Sequence, residues 1–267
     1  MKYFSLDRAP FCLPPNPDFL YLSPQHGACL THLRYGIEQQ KGIIVITGEV
    51  GCGKTLLLQT FLQELEDSKY QKIVLKNPCI GAIDLYAEIL RNLALAVKSR
   101  SPLEMLECIR KALSRLSEEQ REIVLVIDEA QNLSVEMLEQ IRLLSNIESS
   151  NHQSIQIVIA GQPELRHLLR THGLRQLRQR VAVYYNLYPL RYLEMIKYIQ
   201  YRLAAAGHTG GLKFTMPALV SIYRASKGIP RLINALCDRA LISTYVRGSH
   251  TVSYRDARRA IRDLRRL

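Results

Sequence analysis

No apolar run in the 267 residues approaches the roughly 18 needed to cross a bilayer, and the start, Met1-Lys2-Tyr3-Phe4-Ser5, lacks a signal peptide's long apolar segment. The expectation is a cytoplasmic chain. Cysteine is present but unpatterned: six residues, at 12, 29, 52, 79, 108 and 237, without any C-x-x-C spacing. That argues against a zinc site and against a disulfide framework, and leaves reduced thiols used as small hydrophobes. Carboxylates are scarce in one part only. Residues 1–165 carry 16 Lys+Arg against 20 Asp+Glu, whereas residues 166–267 carry 20 against 4, so the net +12 belongs to the C-terminal part. Such asymmetry suits a polyanionic partner, whether nucleic acid, an anionic membrane surface or an acidic protein; the alternative is a solvated arginine-rich face.

The length and the 47% hydrophobic share allow one large α/β domain or a core with a small accessory domain. Five of the eleven prolines fall in residues 8–24, which makes residues 1–24 an N-terminal arm without helix. From residue 25 to 189 apolar β-type runs alternate with longer helical patterns: strands over 42–47, 72–76, 122–127 and 154–160, helices over 54–65, 82–97, 102–116 and 134–147. This order predicts an α/β fold, a parallel sheet with helices on both faces. Beyond residue 190 the strand signals stop, and helical patterns near 191–206, 215–226, 230–246 and 253–266 predict a small all-helical lid, basic in charge, over 190–267. In its last helix, Ser253 with Asp256 forms a capping pair. Tyr254, Ala257, Ile261 and Leu264 share a packing face, while Arg255, Arg258, Arg259 and Arg262 form a basic surface.

The chemistry is concentrated at Gly48-Glu49-Val50-Gly51-Cys52-Gly53-Lys54-Thr55, a complete G-x-x-x-x-G-K-T run between a strand and a helix. A glycine-rich strand-to-helix turn can direct successive N–H groups at a phosphate. Residues Gly48 through Leu56 therefore form the expected ATP site, with Lys54 reaching the β- and γ-phosphates and the Thr55 hydroxyl ligating Mg²⁺. Cys52 reads as filling a tolerant loop position. Hydrolysis also needs a metal-orienting carboxylate and a base. Ile123 to Ile127 followed by Asp128-Glu129 supplies both: Asp128 for Mg²⁺, Glu129 for the attacking water. A helix-capping role for the pair is the plainer alternative. The next strand ends in Gly161-Gln162-Pro163, which makes Gln162 the candidate polar contact to the γ-phosphate, or else an ordinary turn residue before a proline-started helix. Arg231, in Gly228-Ile229-Pro230-Arg231, could fold over the nucleotide from the lid, and Arg180, with Arg175 and Arg178 as substitutes, could reach a neighbouring subunit's ATP.

Together these segments resemble an AAA+ ATPase, and more closely the ExeA/GspA family. The resemblance rests on Asn16 to Ser23, Gly48 to Thr55, Ile127-Asp128-Glu129-Ala130-Gln131-Asn132-Leu133, Arg142 to Asn146, Gly161 to Leu165 and Gly228 to Arg231, and spans nearly the whole chain. It implies a P-loop ATPase that uses ATP and Mg²⁺, works as a ring or filament with an arginine supplied in trans, and helps assemble an envelope export apparatus of secretin, pilus or polysaccharide type. The partner would be an export-apparatus protein or the inner-membrane surface. Longer members of that family continue into a transmembrane helix and a peptidoglycan-binding domain, so the chain is expected to be either a stand-alone relative or part of a longer one. The same motifs resemble ATPases of transposition of the TnsC and IstB kind, which implies the alternative partners duplex DNA and a transposase.

Overall fold

The computed structural model describes residues 2–12, 19–76, 81–96, 101–147 and 155–266. They divide into two compact units: Ala28–Gly48 with Leu58–Leu187, and Met1–Gly27 with Glu49–Leu57 and Tyr188–Leu267.

The larger unit is built on a five-stranded parallel sheet. Its strands are β1 (Ile43–Gly48), β2 (Tyr70–Leu75), β3 (Glu122–Ile127), β4 (Gln156–Gly161) and β5 (Val181–Leu187), in the order β2-β3-β4-β1-β5. The residue patterns explain this order. β1, β3 and β4 are buried at every position, as strands covered on both faces must be, whereas β2 and β5, at the edges, mix buried with half-buried or exposed positions. On one face the side chains of Val45, Ile73, Leu125, Ile127 and Ile159 pack with α3 (Ala82–Asn92), α4 (Pro102–Glu118), α5 (Val135–Leu144), α6 (Pro163–Leu169) and α7 (Arg175–Arg180). The opposite face meets α1 (Pro24–Glu38), which crosses β1 so closely that a Cβ on Gly36 would collide with Ile44. Register places Val45 and Ile127 level on either side of Ile159, so the C-terminal ends of β1 and β3 emerge at the same edge of the sheet.

Three of these elements, β5, α1 and the short helix α7, are absent from the sequence expectation. The half-buried strand β5 has no counterpart in it, because Val181-Ala182-Val183-Tyr184-Tyr185-Asn186 exposes alternate residues after an arginine-rich helix and lacks a continuous apolar run. Helix α1 is also additional; it opens on Pro24 at the first helical position, the one place where proline's missing N–H costs nothing.

The smaller unit packs α8 (Tyr192–Ala205), α9 (Met216–Ser226), α10 (Pro230–Val246) and α11 (Tyr254–Arg265) around a core that also takes Phe4, Leu6, Phe11 and Phe19 from the N-terminal segment. Arg202 pins that segment: buried, it stacks on the Phe19 ring at 4.7 Å and donates to the Pro10 carbonyl and, at 3.1 Å, to the Tyr198 hydroxyl. The prolines at 14, 15 and 17 and the start of the Asn16–Ser23 segment lie outside the described residues. This region is not purely helical. Two-residue strands β6 (Lys213–Phe214) and β7 (Thr251–Val252) pair in parallel because the connections before α9 and α11 run side by side, with Lys213 N–H donating to the His250 carbonyl at 3.0 Å. The capping pair forms as the spacing predicts: Asp256 accepts from Ser253 N–H at 2.8 Å. Ala257 and Ala260 carry the buried face of α11, whereas Tyr254 is exposed beneath the Arg258 guanidinium. Tyr254 is therefore a surface residue and not part of the packing face.

Candidate functional site

Strand β1 ends at Gly48 and the chain passes directly into the glycine loop, after which α2 (Lys54–Glu64) begins. Gly51 and Gly53 adopt φ of +81° and +97°, conformations that side-chain-bearing residues resist. Within the smaller unit the loop is held from two directions. The N-terminus of α10 donates the Arg231 N–H to the Gly51 carbonyl at 3.2 Å, and a Cβ at Gly51 would stand 2.6 Å from Arg231 Cβ. From the other side His26, buried, meets the Cys52 carbonyl through Nε2 at 3.0 Å and Ser23 Oγ through Nδ1 at 2.7 Å.

The chemistry of these partners sets the tautomer of His26. A carbonyl only accepts, so Nε2 carries the proton, and Nδ1 accepts from the Ser23 hydroxyl. Burial pushes the His26 pKa below its usual value, against the opposing pull of the Cys52 carbonyl and Glu194, and so favours this neutral form. Cys52 is consequently not a loosely tolerated loop residue: it is buried, its thiol pKa is pushed up to about 11 chiefly by burial, and its carbonyl anchors the loop. Lys54 is also buried, and its Nζ donates to the Glu49 carbonyl at 3.1 Å, while Val50 is exposed. The loop fits a phosphate on structural grounds, since both positive-φ positions need glycine and the lysine that follows is already held back against the loop's own backbone.

A second cluster lies in the larger unit, at the ends of β3 and β4. Asp128 is buried and its Oδ1 accepts from Glu129 N–H at 2.9 Å. Glu129 takes a left-handed backbone, φ +55°, and begins the 3₁₀ turn Ala130–Asn132. Its Oε2 accepts from Gln131 Nε2 at 2.6 Å and from Gln162 Nε2 at 3.2 Å, and Gln131 Oε1 accepts from Gln162 N–H at 2.9 Å. The fold thus joins Glu129 and Gln162 both directly and through a third residue, Gln131, whose role the sequence did not disclose. The close approach depends on Gly161, where a Cβ would lie 3.0 Å from Gln131 Oε1. A carboxylate gripped by two amides is fixed in direction, as a general base must be. The carboxylate of Asp128 and the hydroxyl of Thr55 are hard oxygen donors of the kind Mg²⁺ takes.

The remaining arginines are dispersed. Arg180, exposed at the end of α7, donates to the Ser145 carbonyl at 3.4 Å, Arg175 is exposed on the same helix, and Arg178 lines a cavity of about 330 Å³ with Arg166, Arg170 and Tyr184. Arg255, Arg258, Arg259 and Arg262 are all exposed on α11. Among the described residues no group of three or more His, Cys, Asp or Glu could hold a metal ion by itself, and no helix is long and apolar enough to cross a membrane.

A parallel sheet of this order, with its first strand feeding a G-K-T loop and a helical C-terminal region, is an AAA+ fold. Residues 37–169 match the AAA domain family, which implies nucleotide binding. Solved structures agree on the fold. The ORC2 protein of Aeropyrum pernix, solved with ADPNP and ADP, superposes with a TM-score of 0.68 at 16% identity, covering 96% of this chain and 71% of that one. Cdc6p of Pyrobaculum aerophilum gives 0.68 at 17% identity over 94% of this chain and 69% of its own. The RuvB Holliday junction branch migration motor of Thermotoga maritima gives 0.55 at 16%, covering 95% of this chain and 73% of that one. A relative in sequence is more specific: General secretion pathway protein A of Aeromonas hydrophila is 42% identical over 257 residues, 96% of this chain. The chain is a GspA-like AAA-domain protein and spans 46% of that relative's length.

Proposed function

We propose that this chain is an Mg²⁺-dependent ATPase that uses ATP binding and hydrolysis to assist assembly of a bacterial envelope export apparatus, acting with further copies of itself. The observation that carries the ATPase reading beyond binding is the Glu129–Gln131–Gln162 set, a carboxylate held by two amides at the C-terminal edge of the sheet, the edge from which β1 also emerges. In this reading residues 48–56 hold the triphosphate, Lys54 neutralises its β- and γ-groups, and Thr55 and Asp128 hold Mg²⁺, which supplies charge neutralisation on the phosphates when bound. Glu129 takes the proton of the attacking water on its free oxygen, and Gln162 steadies both Glu129 and the γ-phosphate. Arg231 responds to the nucleotide from the lid, and Arg180, or Arg175 or Arg178 in its place, completes the site of a neighbouring copy. The export role is supported by the 42% identity to General secretion pathway protein A. The exposed arginines of α11 support a second partner reading, duplex DNA in a transposition ATPase.

The test is steady-state ATP hydrolysis with and without duplex DNA at low salt, read beside nucleotide titrations. Lys54→Ala should lose nucleotide binding, because charge-assisted contacts to phosphate disappear. Glu129→Gln should bind ATP normally and not turn it over; turnover near the wild-type rate would place the base elsewhere. Stimulation by DNA that fades as salt rises would replace the export reading with the DNA reading.

A further inference from the structure

Helix α10 ends in an exposed apolar stripe. Ile242, Tyr245 and Val246 are 58%, 57% and 70% exposed, at i, i+3 and i+4, although the rest of the helix buries its apolar residues in the unit's core. The stripe is preformed, since Tyr245 is met edge-on by Tyr3 at 5.0 Å, and Tyr3 in turn stacks on His250 at 4.6 Å.

The neighbouring helix supplies charge on the same side. Ser243 and Arg247 reach Asp256 at the start of α11, so they mark the side of α10 that faces α11. Ile242 and Val246 each precede one of them by a residue and lie about 100° round the helix. On α11, Arg255 precedes Asp256 by one residue and is displaced by the same angle, and Arg259 and Arg262 follow it along that face, all exposed. The two helices are joined by residues 247–253 and pack along each other, the end of α10 on the start of α11. About two antiparallel axes the same rotation carries both sets to one side. The result is an aliphatic and aromatic stripe bordered by arginines. The carboxylates hardly offset it: Asp256 is buried and already bonded to Arg247, which leaves Asp263 as the one exposed acid of α11.

We infer that this α10–α11 face docks on an anionic lipid surface, with Ile242, Tyr245 and Val246 entering the headgroup boundary and Arg255, Arg259 and Arg262 meeting lipid phosphates. Both halves are needed to choose the occupant. A polyanion such as duplex DNA would use the arginines and leave two aliphatic side chains in water, whereas a bilayer interface takes apolar side chains and cationic ones together. The face stands apart from the nucleotide loop and does not depend on its assignment.

The experiment is co-sedimentation of the whole chain with vesicles of equal parts phosphatidylglycerol and phosphatidylcholine, and with vesicles of phosphatidylcholine alone. Binding is expected to the first and not the second. The triple variant R255E/R259E/R262E should bind about 100-fold more weakly, from roughly 1 kcal/mol per basic residue at such a surface. I242D/V246D should lose roughly tenfold or more. Both variants should keep wild-type nucleotide affinity and melting temperature; if the double variant is misfolded, V246D alone carries the test. Absence of vesicle binding by the wild type would overturn the inference. So would loss in the arginine variant alone with duplex DNA displacing the vesicles, which would make the face a polyanion track. An I242D/V246D variant that changes the mass seen by light scattering and still binds vesicles would assign the stripe to a second copy of the chain.

Discussion

His26→Ala is the most direct probe of how the nucleotide loop is held. The substitution removes the 3.0 Å bond from Nε2 to the Cys52 carbonyl and the 2.7 Å contact with Ser23 Oγ, both inside the protein. Leaving a buried carbonyl without its donor costs about 1–3 kcal/mol, and the vacated imidazole adds a cavity term, so a total of about 3–5 kcal/mol is expected. Only the part borne by the loop affects ligand binding. If that part is about 1–3 kcal/mol, nucleotide affinity should fall roughly 5- to 150-fold. A fluorescent-nucleotide titration measures this and a thermal melt measures the rest. His26→Gln, which retains a side-chain N–H donor, should recover a share of the affinity. Acid adds a second readout. Burial lowers the folded pKa of His26, so the unfolded chain takes up a proton first. Its contribution is fully present above the ordinary histidine value of about 6.5 and is lost as pH falls from there toward the folded pKa. His26→Gln should lack that segment of the pH profile. An alanine variant that melts earlier yet binds nucleotide within twofold of wild type would refute the idea that His26 holds the loop.

Gly51→Ala should weaken nucleotide binding by about tenfold or more, since a side chain at φ +81° costs about 1–2 kcal/mol and its Cβ would stand 2.6 Å from Arg231 Cβ. Gly27→Ala, with open space around the added Cβ, is the matched control and should be neutral or stabilising by up to about 1 kcal/mol in urea denaturation. Asp256→Asn should cost about 1–2 kcal/mol by the same assay, because it weakens the cap of α11 and the bond to Arg247. Burial alone would raise the Asp256 pKa, yet hydrogen bonds from Arg247, Ser253 and Ser243 hold it down to about 2. The wild type should therefore lose stability as pH drops from about 4 toward 2, and the asparagine variant should lose less over that range.

Short-range chemistry made part of this protein legible in its sequence. The G-x-x-x-x-G-K-T run needs only adjacent residues to define a phosphate-binding turn, and β1, β3 and β4 announce themselves because a strand covered on both faces must be apolar throughout. The capping of α11 was readable for the same reason, its two partners being three residues apart. What the tertiary structure decided depends on residues far apart in the chain. Edge strand β5 is half exposed and carries no continuous signal, and β6 and β7 exist only because two connections lie side by side. His26 looks like an isolated histidine until folding sets it against the Cys52 carbonyl, 26 residues away, and Gln131 gains a role only when the end of β4 brings Gln162 to it. The exposed stripe of α10 and the arginines of α11 are each visible as patterns, but periodicity cannot say that they share a side. That follows from the pairing of Asp256 with Ser243 and Arg247, a contact between helices and not a property of either one.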